Sequence, residues 1–320
     1  MPSRSIAAIN GLLREDAAPR RVVGSTIVLL LAGVAAFGAW WHTGNPVWIR
    51  AYFYYPGALF FVACSLLEVS LSYRCWRRFS PGDLLRPAWF LILLSAVARL
   101  MGGLVRHIGG LETWLNPLSY LPSYWGHLLT QRSFEAGELF SPLSMALLAI
   151  GLIQVLRACR INGVLGKLKP LDAVLLAAVT LYTVYYFSQV VLSPLHPEGP
   201  VSLLKVIGWS SDPLLCILLL EALLIRRSTA NLGWGLISRC WISYTAAILL
   251  TSLGDVGLWA SANGLVPYWL EAASWYVWFI ASASYALGPA YQLQAMLCAV
   301  DEARFDEALL ASAHAEATAF

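Results

Sequence analysis

The stretch Gly208-Trp209-Ser210-Ser211-Asp212-Pro213-Leu214-Leu215-Cys216-Ile217-Leu218-Leu219-Leu220-Glu221-Ala222-Leu223-Leu224-Ile225-Arg226-Arg227 reads as a membrane-crossing helix with its basic exit attached. A crossing takes about 20 predominantly apolar residues, and the run from 203 to 226 supplies them. It also carries two acids, which are costly in a bilayer core unless paired or solvated. A second run, 234–259, passes from Trp234 through Arg239 to Ser252-Leu253-Gly254-Asp255; it is long enough to cross and carries one acid, Asp255.

The rest of the chain has the same character. Of 320 residues, 59% are hydrophobic and 12% charged, and the mean hydropathy is +0.66. Soluble domains average about 45–50% apolar and 25% charged, so the chain reads as an all-α polytopic membrane bundle whose first partner is the lipid bilayer. The net charge of +3 calls for no nucleic acid, because the cations cluster at the ends of apolar spans.

Eight spans are expected, at about 22–41, 53–72, 87–106, 137–158, 171–193, 203–226, 234–259 and 267–291. Ahead of them, residues 1–21 hold Ile6, Ile9, Leu12 and Leu13 at helical spacing among arginines, the pattern of a helix lying on the membrane surface. A cleaved signal peptide would end its apolar part in small residues; this one is longer and ends in Trp40-Trp41. The connection 107–136 mixes Trp114, Tyr120, Tyr124 and Trp125 with prolines and glycines, and reads as an interfacial loop. Residues 292–320 form a short acidic tail able to continue the last helix or to fray.

Cation counts orient the bundle. With the N-terminus inside, 16 lysines and arginines fall in cytoplasmic segments, and four (Arg50, Arg106, Arg132, Lys205) fall outside. That asymmetry predicts both termini in the cytoplasm and a multi-pass protein of the bacterial cytoplasmic membrane. The six cysteines lie within spans or near inner ends without C-x-x-C spacing, and read as unpaired thiols.

Several chemistries lack their residues. All five histidines lie in loops, at span edges or in the tail, so no axial haem ligand is expected inside the bundle. No lysine sits mid-span for a Schiff base, no metal-ligand cluster stands out, and no phosphate loop, H-E-x-x-H or G-x-S-x-G is present. The expectation is a non-enzymatic protein without catalytic residues, cofactor or metal.

The intramembrane charges remain. At 1.5 Å per residue, Arg99 and Asp212 both fall about 18–21 Å from the inner boundary, while Asp255 belongs to the outer rim. These three form the expected intramembrane polar site, with the helix ladder broken at Pro213 beside Asp212. Glu68, Glu221 and Arg239 fall within a few turns of the cytoplasmic face, where pairing or snorkelling satisfies them. Leu66-Leu67-Glu68 and Leu219-Leu220-Glu221 each precede a basic exit. The likeness fits either a duplication of four plus four spans or two unrelated interfacial ion pairs.

The order Asp212-Pro213, leucine run, Arg226-Arg227, Ser252-Leu253-Gly254-Asp255, Tyr268-Trp269, Trp275-Tyr276 resembles the multi-pass input domains that precede bacterial diguanylate cyclases and sensor kinases. The resemblance covers about 205–291. It implies a sensory or regulatory module, here without a G-G-D-E-F or kinase histidine box, and therefore acting through a protein partner. Two other classes stay open: an anchoring subunit of a larger membrane complex, and a small-solute transporter or channel.

Overall fold

The computed structural model describes residues 17–45, 47–115, 123–163, 170–187, 210–230, 235–262, 264–266 and 269–317; the side chains outside that set include those of 106–138, Asp212, 269–272 and 299–317. Helix α1 spans Ala17–Thr43 and α2 spans Val47–Tyr52. A π-helical turn, Phe53–Gly57, leads into α3 (Ala58–Arg78). Then follow α4 (Arg86–Leu115), α5 (Ser123–Ile161), α6 (Pro170–Phe187), α7 (Ser211–Ala230), α8 (Leu236–Ala262) and α9 (Trp269–Ala317). No strand occurs among the described residues.

Local chemistry sets the ends of these helices. Asn45 Oδ1 accepts the Val47 N–H at 3.0 Å and Asp83 Oδ1 accepts the Leu85 N–H at 2.8 Å, which satisfies donors a helix start leaves open. Gly44 and Gly163 close α1 and α5 at φ +67°, a left-handed conformation that glycine adopts without a Cβ penalty. Pro56 lies inside the π-helical turn, where its missing N–H and ring fit a widened ladder better than a regular one.

Among the described residues, five helical segments are long and apolar enough to cross a membrane: Pro19–Thr43, Tyr55–Arg78, Arg86–Val105, Leu139–Ile161 and Leu236–Gly257. The other three expected spans overlap α6, α7 and the first part of α9. Large apolar side chains stay on the outside, among them Ile27, Val28, Leu31 and Val34 of α1 and Val174, Leu181 and Val184 of α6. Such surfaces suit lipid rather than water.

Six helices close into a ring. In order round it stand α3, α4, α5, α7, α8 and α9, with α9 returning to α3; α1 packs outside on α9, and α6 outside on α7. The ring's core joins Cys75, Trp89, Ile92, Leu152, Leu218, Ile225, Cys240, Tyr244, Ile248 and Tyr285 among others, with every ring helix contributing. The ring divides into matching halves, α3–α4–α5 and α7–α8–α9. Glu68 and Glu221 are buried on the first helix of each half, and Trp89 and Trp241 on the second. On the third, a β-carbon at Gly151 would meet Ile92, and one at Gly288 would meet Tyr244. Ile92 and Tyr244 each lie three residues beyond their half's tryptophan.

Several expectations need correction. The segment 107–136 is not an irregular loop: α4 runs on to Leu115 and α5 begins at Ser123. Glycine costs a helix only about 1 kcal/mol, so Gly109-Gly110 do not stop α4, whereas the described helices end and start beside Pro117 and Pro122. Helix α7 starts at Ser211, which puts Asp212 and Pro213 in its first turn. Proline there has no intrahelical bond to lose, and residues 201–209, which the expected break concerns, lie outside the described residues. The tail is helical as far as Ala317: α9 has 49 residues, about 74 Å at the α-helical rise.

Candidate functional site

The polar site starts from one pair of hydroxyls. Ser95 of α4 donates to the Ser144 carbonyl at 2.8 Å, and Ser144 of α5 donates back to the Ser95 carbonyl at 3.0 Å. This reciprocal lock holds α4 against α5 one turn below Arg99, whose Nη2 donates to Ser95 Oγ at 3.3 Å. The Arg99 guanidinium lies over the ring of Tyr285 on α9, Cζ 3.4 Å from the centroid. Its Nη1 faces Glu68 Oε2 of α3 at 3.6 Å, the acid being only 2% exposed.

Above Arg99 the ring opens into a cavity of about 260 Å³. α4 contributes Arg99, Gly102 and Gly103, and α8 contributes Thr251 and Asp255, each set spaced at one helical turn. Trp275, Trp278, Phe279, Ser282 and Tyr285 come from α9; Phe61 comes from α3, and Phe140, Ser141 and Ser144 from α5. The Trp278 indole donates to Asp255 Oδ1 at 3.1 Å and reaches the Thr251 carbonyl at 3.4 Å. Trp275 meets Trp278 edge-on at 5.1 Å. Close approach of these walls depends on glycines: a β-carbon at Gly103 would strike Phe61, and one at Gly254 would strike Trp278. The result is an aromatic chamber with an ion pair as its floor and a carboxylate, Asp255, one helical turn from Thr251 on α8.

Beneath the floor, polar atoms collect without hydrogen-bond partners. Glu68 Oε1, Ser72 Oγ, Trp89 Nε1, Arg99 Nη1 and Tyr244 Oη are all buried and make no hydrogen bond. Tyr244 is within electrostatic reach of Glu68, Arg99, Cys75 and Cys240, and its ring neighbours those of Trp89 and Tyr285 at 6.4 and 6.2 Å. Buried polar groups in native proteins are paired with protein or ordered water.

The expected residues separate as follows. Arg99 and Asp255 line one cavity, whereas the side chain of Asp212 lies outside the described residues. The acid facing Arg99 is Glu68, which the sequence assigns to the inner group. The reason is helix length: α3 runs to Arg78 rather than ending near Ser72, which lifts Glu68 about 15 Å from the helix end by the α-helical rise. Arg99 stands about 20 Å from the start of α4, a gap its long side chain spans. Glu221 is buried with Oε2 unbonded, and Arg239 is exposed with no ion pair among the described residues. Neither therefore forms an inner pair in that set. Trp278, Thr251 and Tyr285 escape a reading of sequence because aromatic and hydroxyl residues are common in any span.

The fold and cavity define a class: an all-helical protein with several membrane-length helices and a charged, aromatic chamber within a six-helix ring. Comparison with models of known protein families, with curated proteins and with solved structures gives no match to this chain.

Proposed function

We propose that this protein is a non-enzymatic sensory module of the bacterial cytoplasmic membrane, crossing it eight times with both termini inside. It takes a small molecule into the ring cavity and passes its state to a protein partner at the tail. The observation that carries this reading is the continuity of α9. One helix supplies Trp275, Trp278, Phe279, Ser282 and Tyr285 to the cavity wall and continues to Ala317, about 48 Å beyond Tyr285 by its rise. Pro289 lies inside it, four residues past Tyr285, where it removes the backbone donor that would pair with the Tyr285 carbonyl. A shift of the cavity wall therefore has a mechanical route to the tail.

The experiment is a thermal-shift measurement on detergent-purified protein with a low-molecular-mass extract of the host cell. Ser282→Trp, which fills the cavity, is the control. The extract stabilises the unaltered chain and leaves the filled variant unmoved; equal shifts for both overturn the reading.

A second reading, transport of a small solute, is favoured by the two matching halves of the ring. Parallel repeats with a substrate site between them are a transporter design, and the cavity draws equivalent positions from both halves: Arg99 and Gly103 on α4, Thr251 and Asp255 on α8. Uptake of labelled solute into proteoliposomes separates the two, since a sensor binds without moving it.

A further inference from the structure

The Arg99–Glu68 pair is loose on both sides. At 3.6 Å the contact is an ion pair without a hydrogen bond, leaving Arg99 Nη1 and Glu68 Oε1 both unbonded. Carboxylates that hold arginine firmly do so through charge-assisted bonds of about 2.7–2.9 Å, often two at once. A guanidinium has five N–H donors, and the hydrogen bond described here, to Ser95 Oγ, engages one of its nitrogens. Arg99 is also part of the cavity lining, with 17% of its side chain open. The cation can therefore meet a ligand without leaving its place over Tyr285.

Charge balance decides what that ligand is. Arg99 and Glu68 together are neutral and Asp255 adds a carboxylate to the same cavity lining, so an anion drawn to Arg99 would add further net negative charge to the ring, which is costly in a low-dielectric interior. A proton on Glu68 cancels it. The groups facing Glu68 permit this: Arg99 from α4, Tyr285 from α9, Tyr244 from α8 and Cys64 from α3 itself. Only Arg99 among them is a cation, and a ligand carboxylate would take over its charge. The unbonded hydroxyls of Ser72 and Tyr244 beneath the pair supply donors and acceptors for internal water, through which a proton can travel.

We propose, resting on the cavity reading above, that the site binds a small carboxylate-bearing molecule with an apolar or aromatic body, together with one proton. The ligand's carboxylate replaces that of Glu68 on Arg99, an O–H bond forms on Glu68, and the charge of the site is unchanged. The aromatic walls hold the ligand's body. An engineered cavity of about 150 Å³ already accommodates benzene, so about 260 Å³ suits a one-ring acid. Asp255 is bonded by Trp278 and stands one helical turn along α8 from Thr251, about 6 Å by the helical rise.

The test uses three probes of one shape and different charge: benzoate, benzylamine and benzyl alcohol. Each is titrated calorimetrically into the full chain in nanodiscs, in two buffers of different ionisation enthalpy, so that protons are counted with binding. The expected result is that benzoate binds with uptake of one proton, and that its affinity falls about tenfold per pH unit above the Glu68 midpoint. Glu68→Gln keeps benzoate binding and takes up no proton; Arg99→Gln abolishes binding. The proton count comes from the unaltered protein, so it stands even where a variant does not fold. Benzoate binding without proton uptake overturns the coupling and leaves the cavity reading intact. Benzylamine binding in place of benzoate overturns the assignment and moves the site to Asp255. No binding of benzoate at saturating concentration overturns the proposal, while the extract measurement still judges the cavity on its own.

Discussion

The guanidinium of Arg99 rests on the ring of Tyr285 at 3.4 Å, so a single cation ties the cavity floor to the helix that leads to the tail. Tyr285 is also hydrogen-bonded to Thr251, whose hydroxyl donates to the Ala247 carbonyl at 2.9 Å and so accepts from the phenol. One ring thereby joins α4, α8 and α9.

Replacing that ring separates its two contributions. Tyr285→Phe keeps the face presented to Arg99 and loses one hydrogen bond, an expected cost of about 1 kcal/mol. Tyr285→Leu loses the cation–ring contact as well, worth about 2 kcal/mol in a desolvated setting. Thermal unfolding in detergent should rank unaltered chain above Phe above Leu; equal losses for Phe and Leu would mean the ring face is idle.

The ion pair is tested by a double-mutant cycle of Glu68→Gln and Arg99→Gln. Glu68 left alone can take up a proton, but arginine cannot lose one, so Glu68→Gln is the more destabilising single change. The double variant recovers part of the loss, with a coupling energy of about 0.5–3 kcal/mol. Additivity within about 0.5 kcal/mol would show that the two groups do not interact.

Much of this arrangement was open to sequence reading, and its failures have physical causes. The helices lie where apolar runs stand, because a bilayer-length stretch admits few alternatives. The glycines and prolines of 107–136 read as a loop, yet glycine costs a helix little: α4 passes through Gly109-Gly110 to Leu115, and α5 is helical from Ser123. Glu68 lies under about three helical turns from the end of α3 at Arg78, in keeping with its place in the inner group, but the helix that supplies its partner cannot be read from that position. The pairing of Glu68 with Arg99 leaves no periodic trace across two helices. Of the three residues grouped on sequence, Arg99 and Asp255 are in the lining of one cavity, and the side chain of Asp212 lies outside the described residues.

Close packing at glycine gives a sharper contrast. Gly288 lies so near Tyr244 that a β-carbon must displace a fully buried ring, while Gly24 has nothing within 4 Å. Gly288→Ala should cost about 1–3 kcal/mol through overpacking. Gly24→Ala should be neutral or stabilising by up to about 1 kcal/mol, because alanine is the better helix former. Melting temperatures of the two variants moving together would contradict the packing of α9 on α8.

The proposed eight-span topology predicts opposite compartments for Gly166 and Pro200. Reporter fusions at these positions, one scoring cytoplasmic and the other extracytoplasmic activity, check it directly. The same compartment for both removes the span between them and with it the orientation drawn from the cations.

The last prediction concerns Pro289. Its missing N–H leaves the Tyr285 carbonyl without its helical donor, and its own carbonyl accepts the Cys75 thiol at 3.4 Å, so α9 is weakened just beneath the residue that touches Arg99. Pro289→Ala restores a regular ladder and should raise thermal stability. If the weakened turn is what carries cavity movement to the tail, the same change silences the response. Hydrogen–deuterium exchange of the segment after Ala290 is the readout, with benzoate as ligand. The unaltered chain should show ligand-dependent exchange there, and the variant should bind benzoate with no such change. Exchange that responds equally in both would place the signal route outside this turn, while a variant less stable than the unaltered chain would mean that the proline is required for packing against α3.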